Sequence, residues 1–483
     1  MGEHTVIKEK IVKGLFWKLL ENGGAQGIQF IVAIILARLL TTEEYGIVGI
    51  ISIFIIIANV LVQNGFSTAL VQKQKADEKD FSYVFYFGLA AAAVMYGVLF
   101  MAAPWIGRFY NNSQLCSLVR GLAIVLFPGS VISVQTAYVS REMEFKGLFK
   151  ATMAAVVISG AVSIWMAYKG MGAWAMVGQQ VSYYFALMIG LFIDVSWKPG
   201  WMFSIKRIRI MFGFGWKLLC AAMIDTLFSN LYGLIMGKIY NEQVLGVYNR
   251  GEQFPKIIVT NLGAAIQSVL LPAFAKEQES VGQVKAMARK AIQLSSYTVL
   301  PMLLGMFAVA DTLVLALLGE KWMMCVPFLR IMCIAYCFYP IHITNLQAIN
   351  AMGRSDVFLK LEIMKKVIGI GGLIAGIQFG AIVMVSIKAL VDFLCIFINA
   401  WPNKRILNYS IGQQCRDMAP AVALSVVMAA VVYFFGGFVP GAWFRLTVQI
   451  LVGIGVYILL SAVFRVESFS YLLNAVNKRR GRA

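Results

Sequence analysis

The stretch Trp17–Gly46, WKLLENGGAQGIQFIVAIILARLLTTEEYG, decides how the chain is built. It begins with a lysine and polar residues, turns apolar, and closes on Arg38 and a short acidic turn. Lys18 and Arg38 are separated by close to the ~20 residues a helix needs to cross the hydrocarbon core of a bilayer. The pattern returns at Trp216–Gly246, WKLLCAAMIDTLFSNLYGLIMGKIYNEQVLG. Trp17-Lys18-Leu19-Leu20 recurs as Trp216-Lys217-Leu218-Leu219, and Arg38…Tyr45-Gly46 as Lys238…Leu245-Gly246. A repeat on this scale fixes the architecture as two related halves, both in the membrane.

The rest of the chain agrees. Of its 483 residues 60% are apolar and 13% charged, whereas soluble domains run at about 45–50% and about 25%. Apolar segments fall near 14–40, 45–71, 81–103, 115–138, 150–168, 172–195 and 209–238. They continue at 244–274, 286–310, 325–350, 357–378, 381–401, 417–436 and 442–464. These runs are continuous rather than alternating, so about fourteen transmembrane helices are expected and a barrel is not. The first run is too long for a secretory signal and lacks a small-residue cleavage site, so it reads as a retained span. The seven cysteines lie mostly within apolar runs, without CxxC pairs, and read as small apolar residues rather than metal ligands.

Charge placement sets orientation. The net charge of +19 falls in alternate loops, among them Lys73, Lys75, Arg141, Lys146, Lys206, Arg207, Lys285, Arg289, Lys404, Arg416 and Arg465. Twenty-nine basic residues sit in that set, against five (Arg38, Arg108, Lys169, Lys238, Lys321) in the other. Both termini are therefore expected in the cytoplasm, and the charge is topogenic, not a nucleic-acid footprint. The repeat also extends past its opening helix. Leu118-Val119-Arg120 matches Phe328-Leu329-Arg330, and Leu148-Phe149-Lys150 matches Phe358-Leu359-Lys360. Six spans per half gives halves of like orientation, related by a pseudo-twofold along the membrane normal. The halves are 1–198 and 199–410, and 411–483 holds two further helices and a basic tail.

Three signatures carry a resemblance. Ala37-Arg38-Leu39-Leu40-Thr41-Thr42-Glu43-Glu44-Tyr45-Gly46 closes span one, Ser140-Arg141-Glu142-Met143-Glu144-Phe145-Lys146 follows span four, and Leu245-Gly246-Val247-Tyr248-Asn249-Arg250 opens span eight. Over nearly its whole length the chain resembles the polysaccharide transporters of the multidrug/oligosaccharidyl-lipid/polysaccharide exporter superfamily, and among them the colanic-acid or teichuronic-acid exporters. The resemblance implies a flippase of the bacterial inner membrane that moves undecaprenyl-diphosphate-linked oligosaccharide from the cytoplasmic to the outer leaflet. It implies two lobes around a central, often cationic cavity, rocking between inward-open and outward-open states, with the last two helices accommodating the lipid tail. No cofactor is expected beyond coupling to H⁺ or Na⁺. The expected partners are the lipid-linked oligosaccharide, membrane lipids and polysaccharide assembly proteins; the chain is expected to be a monomer.

Polar residues inside spans are costly unless they face water or a partner, and these are the candidates for the work. In span one, Lys18, Asn22, Gln26 and Gln29 share an arc, with Glu21 beside it. Asn59, Gln63 and Ser67 form a shorter stripe on span two, and Asn249, Glu252, Gln253, Lys256 and Thr260 one on span eight, with Arg250 adjacent. Such faces suit a water-filled cavity between lobes, and for the amides helix–helix hydrogen bonding fits equally. Lys18 and Lys217 are repeat partners at one boundary, and Arg120 and Arg330 at the other; snorkelling to the headgroups is the alternative for all four. Lys256 lies about 18 Å into its span, near mid-bilayer, where snorkelling is hard. It is the leading candidate for meeting the diphosphate. Asp225, Glu21 and Glu252 are candidates for ion coupling. Lys388 and Asp392, four apart, are expected to neutralise each other.

Two other classes compete. A glycosyltransferase or polymerase needs an acid/base constellation, and the short outer loops hold no His and no paired carboxylates. A multidrug cation antiporter should present acids and aromatics where this midsection carries Lys256.

Overall fold

A chain this apolar can satisfy its backbone in lipid only by closing each N–H and C=O within helices. The computed structural model describes residues 2–63, 70, 78–143, 145–200 and 205–480, with helices and no strand among them. Ser67, Lys73, Lys75 and the side chain of Lys217 lie outside the described residues.

The first helices are α1 (Gly2–Leu39), α2 (Thr42–Gln63), α3 (Glu78–Tyr110), α4 (Gln114–Ala123), α5 (Leu126–Glu142), α6 (Phe145–Tyr168), α7 (Ala173–Asp194) and α8 (Ile205–Ile239). There follow α9 (Glu242–Lys276), α10 (Val281–Ala308), α11 (Ala310–Leu317), α12 (Val326–Tyr336) and α13 (Tyr339–Ala351). The chain ends with α14 (Ser355–Gly376), α15 (Ala381–Ile406), α16 (Ile411–Gly436), α17 (Ala442–Val463) and α18 (Glu467–Arg480). Among the described residues, each of the fourteen expected segments is helical. Among the described residues twelve helices are long and apolar enough to cross a bilayer, and a bent pair makes thirteen. The remaining segment is α14, whose first twelve residues include Lys360, Glu362, Lys365 and Lys366.

Two spans are broken at related places. The fourth divides into α4 and α5 shortly after Arg120, with Pro128 in the first turn of α5. The tenth divides into α12 and α13 shortly after Arg330, with Pro340 at the start of α13 and a bend of 41°. Proline lacks an N–H, so the first turn after a break is where a helix tolerates it.

The chain forms two compact units, Met1–Gly246 and Val247–Ala483. In the first, α6 packs along both α1 and α7. Small residues set the spacing: a Cβ on Gly190 would sit 2.8 Å from the Cβ of Ala151, and one on Gly160 2.7 Å from Val32. The apolar core joins Phe81 and Phe85 of α3, Val131 and Val134 of α5 and Leu187 and Leu191 of α7, with Trp197 closing it. The seventh span, α8, which the repeat counts with the second half, lies on α2 through Gly233 and Gly237, each about a Cβ's contact distance from Ile53 and Ile50. Where α2 and α9 begin, a further approach is reciprocal. A Cβ on Gly46 would fall 1.7 Å from the Glu242 carbonyl oxygen, and one on Gly246 2.1 Å from that of Thr42. Repeat partners thus meet backbone to backbone.

In the second unit α10 packs on α16, and α15 on α12, α13 and α14. The last two spans are built into this core. The rings of Tyr297 and Tyr457 lie 5.0 Å apart, the Tyr297 hydroxyl donates to Ser461 at 2.7 Å, and the Tyr457 hydroxyl donates to the Tyr297 carbonyl at 2.9 Å. A buried amide cluster ties α13, α15 and α16. Asn345 and Gln414 exchange hydrogen bonds of 2.8 and 3.1 Å, and Asn403 donates to the Asn345 side chain at 2.8 Å.

Candidate functional site

Residues four apart on a helix stack on one face, and on α9 this aligns Tyr248, Glu252 and Lys256. Gly251 lets that part of α9 cross close to the start of α12: a Cβ there would lie 2.8 Å from the Cys325 carbonyl oxygen. The crossing brings Tyr336 of α12 and Lys388 of α15 onto the same carboxylate. Glu252 Oε1 accepts from the Tyr248 hydroxyl at 3.1 Å, the Tyr336 hydroxyl at 3.1 Å and Lys388 Nζ at 3.0 Å. Its other oxygen lies 3.5 Å from Lys256 Nζ. The side chains of Glu252 and Lys388 are 14% and 18% exposed, whereas Lys256 is 56% exposed. One buried carboxylate therefore holds two ammonium groups, and the outer one is presented outward. Counted by helical rise, Lys256 lies about 20 Å from the start of α9, well inside a core about 30 Å thick.

Lys388, expected to neutralise Asp392 on its own helix, also reaches across helices, with an ion pair of 3.0 Å to Glu252. A charge inside a span is the sequence signal that could have marked it; its partner, more than a hundred residues away, left no local trace.

The other candidates are placed as follows. Arg250, buried, turns to the opposite side of α9, its guanidinium 5.7 Å from the Trp322 ring and donating to Gln253 at 2.5 Å. Those two side chains engage each other within the unit. Arg330 pairs with Asp311 at 2.5 Å and lies over the Phe307 ring. Its repeat partner Arg120 lies 4.0 Å over the Phe100 ring. In both cases the guanidinium Nε donates to the carbonyl of that same phenylalanine. In the first unit Lys18 pairs with the buried Glu21 at 2.7 Å, and Thr152 donates to Glu21 at 3.3 Å. Asn22, Gln26 and Gln29 are exposed along α1, as is Asp225 on α8. Gln63 donates to Asn59 at 2.8 Å. Among the described residues no three His, Cys, Asp or Glu side chains gather as a metal would require.

Residues 35–327 match the family model described as "Polysaccharide biosynthesis protein". The teichuronic acid biosynthesis protein TuaB of Bacillus subtilis is 22% identical over 88% of this chain and 89% of its own. The lipopolysaccharide biosynthesis protein WzxC of Escherichia coli is 24% identical over 80% of this chain and 78% of its own. Among solved structures, the lipid II flippase MurJ in an inward closed conformation shares the all-helical transporter fold. It superposes with a TM-score of 0.75 at 13% identity, covering 93% of this chain and 98% of that one.

Proposed function

Since this chain belongs to the polysaccharide biosynthesis protein family, we propose that it is a flippase for undecaprenyl-diphosphate-linked oligosaccharide, working by alternating access from the cytoplasmic to the outer leaflet. The observation that carries this reading is the cluster at Glu252. A sugar headgroup cannot cross hydrocarbon unaided, because its polar groups would lose their hydrogen bonds. A diphosphate adds at least two negative charges and needs cations within the membrane. Two lysines there would be prohibitive if bare, and Glu252 makes them tolerable in the absence of cargo. An arriving diphosphate competes with Glu252 for Lys256, the more exposed cation, while Lys388 and the two tyrosines retain the carboxylate. Glu252, Glu21 and Asp225 are the acids proposed for H⁺ or Na⁺ coupling. Glu252 is capped by cations and hydroxyls, which disfavours a multidrug-cation site on this face. No step of this transport requires bond-making by the protein, so the proposed activity is not enzymatic. We place the protein in the bacterial inner membrane with both termini cytoplasmic.

Deleting the gene should stop surface polysaccharide from appearing, while its lipid-linked repeat unit accumulates on the cytoplasmic leaflet. Lys256→Ala should reproduce that phenotype at normal protein levels, and Lys256→Arg should restore part of the flux, since charge matters more than shape for a flexible ligand. Arrival of the repeat unit in the outer leaflet at the normal rate, with only its polymerisation failing, would refute the flippase reading.

A further inference from the structure

A second amphipathic feature lies in the Val247–Ala483 unit, at the end of the bundle that carries the basic loops. It is a cleft of about 650 Å³ between α10, α16, α17 and the start of α18. Its floor is apolar, with Ala421, Leu424 and Val427 of α16 facing Leu460 and Phe464. Its mouth is charged, with Arg289, Arg416, Asp417 and Glu467.

These four charges are not equally available. Asp417 is saturated: Arg289 Nε donates to it at 2.8 Å, Gln293 at 3.3 Å and the Tyr409 hydroxyl at 2.8 Å. Among the described residues Arg289 is held through Nε alone, which leaves its two terminal nitrogens without a bond there while the side chain is 59% exposed. Arg416 and Glu467 are exposed and, among the described residues, make no hydrogen bond or ion pair with each other or with a third group. The mouth therefore offers guanidinium donors beside one carboxylate that no hydrogen bond or close ion pair occupies among the described residues, and the formal charges of these four groups cancel.

The dimensions add a constraint. From Arg416 at the mouth to Val427 on the floor is eleven residues of α16, about 16 Å by helical rise, close to half of a hydrocarbon core about 30 Å thick. The cleft thus has the depth of one leaflet.

We propose that this cleft binds a bilayer aminophospholipid of the phosphatidylethanolamine type, its phosphate at Arg416 and the terminal nitrogens of Arg289, its ammonium at Glu467, and one acyl chain along Leu424 and Val427. A guanidinium is suited to grip phosphate oxygens two at a time. An acidic headgroup would satisfy the arginines but leave Glu467 beside a negative charge; a zwitterionic one satisfies both. This occupant is a structural lipid rather than the transported one, and the site does not depend on the proposed function.

The test uses the full-length protein, delipidated in detergent, with thermal unfolding followed as phosphatidylethanolamine, phosphatidylglycerol or a polyprenyl phosphate is added back. Phosphatidylethanolamine should raise Tm by several degrees, and more than phosphatidylglycerol. Arg416→Ala and Glu467→Gln, at exposed positions without bonds to lose, should fold and lose most of that shift. Glu467→Lys should reverse the preference toward phosphatidylglycerol. Equal shifts from the two phospholipids, shifts undiminished in the variants, or no shift from any lipid would overturn the assignment. So would stronger stabilisation by the polyprenyl phosphate, which would make the cleft a cargo-tail site.

Discussion

The two units come from one repeated pattern yet handle polarity inside the membrane differently. At positions 210 residues apart, Gln135 of the first unit and Asn345 of the second are both buried. Asn345 exchanges hydrogen bonds with Gln414 and accepts from Asn403. Among the described residues, neither polar atom of the Gln135 side chain has a partner. The carboxylates contrast in the same way. Glu21 of α1 is met by one lysine and a threonine; Glu252 is met by two lysines and two tyrosines. On α2 the polar pair is the neutral Asn59 and Gln63. A repeat conserves helix placement, because backbone packing requires it, and leaves polar chemistry free to diverge; the second unit has taken up the charge.

The largest test of that asymmetry is Lys388→Ala. Removing one partner from a largely buried ion pair costs up to about 3–5 kcal/mol of stability, so Lys388→Ala should lower Tm by the most of these variants and reduce transport strongly, with partial rescue by Lys388→Arg. Asn59→Ala, its neutral counterpart on α2, should stay within a few fold. Comparable losses in a flux assay would break the comparison.

A middle-sized effect separates the repeat partners. Asn345→Leu strands buried groups on Gln414 and Asn403 and should cost about 2–3 kcal/mol, whereas Gln135→Leu removes two unpaired atoms and should be neutral or mildly stabilising. Thermal unfolding of the two variants side by side measures the difference, and equal destabilisation would show that Gln135 is satisfied after all.

The smallest effect is at the arginines. Both lose a guanidinium–phenylalanine contact of about 0.5–1 kcal/mol on substitution by alanine. Arg330 also loses Asp311, a half-exposed pair contributing no more than about 1 kcal/mol and screened by salt. Arg330→Ala should therefore be slightly the more destabilising in low salt, and the gap to Arg120→Ala should close as ionic strength rises.

What the sequence revealed follows from the range of each interaction. Helix positions depend on local hydropathy, and the helices lie where the apolar runs are; α14 stands apart because its charges are equally local. The related settings of Arg120 and Arg330 were legible because a repeat carries geometry from one half to the other. The partner of Lys388 was not, since periodicity identifies the face a residue occupies and says nothing of which distant helix meets it. Arg250 shows the same limit: its neighbours on α9 put it beside a face expected to line a water-filled cavity, and it is buried near Trp322, a fully buried ring over seventy residues away.

The meeting of Gly46 with Gly246 has a consequence of another kind. It is made of peptide groups alone, so it offers nothing to titrate, nothing for counter-ions to screen and no rotamer to freeze. Every ion pair around Glu252 weakens or strengthens with pH and salt; this contact stays constant through such changes. Its specificity is written wholly as the lack of a side chain, and either position could acquire one only if the strand of backbone facing it withdrew. Two sites far apart in the gene thus answer to a single steric condition.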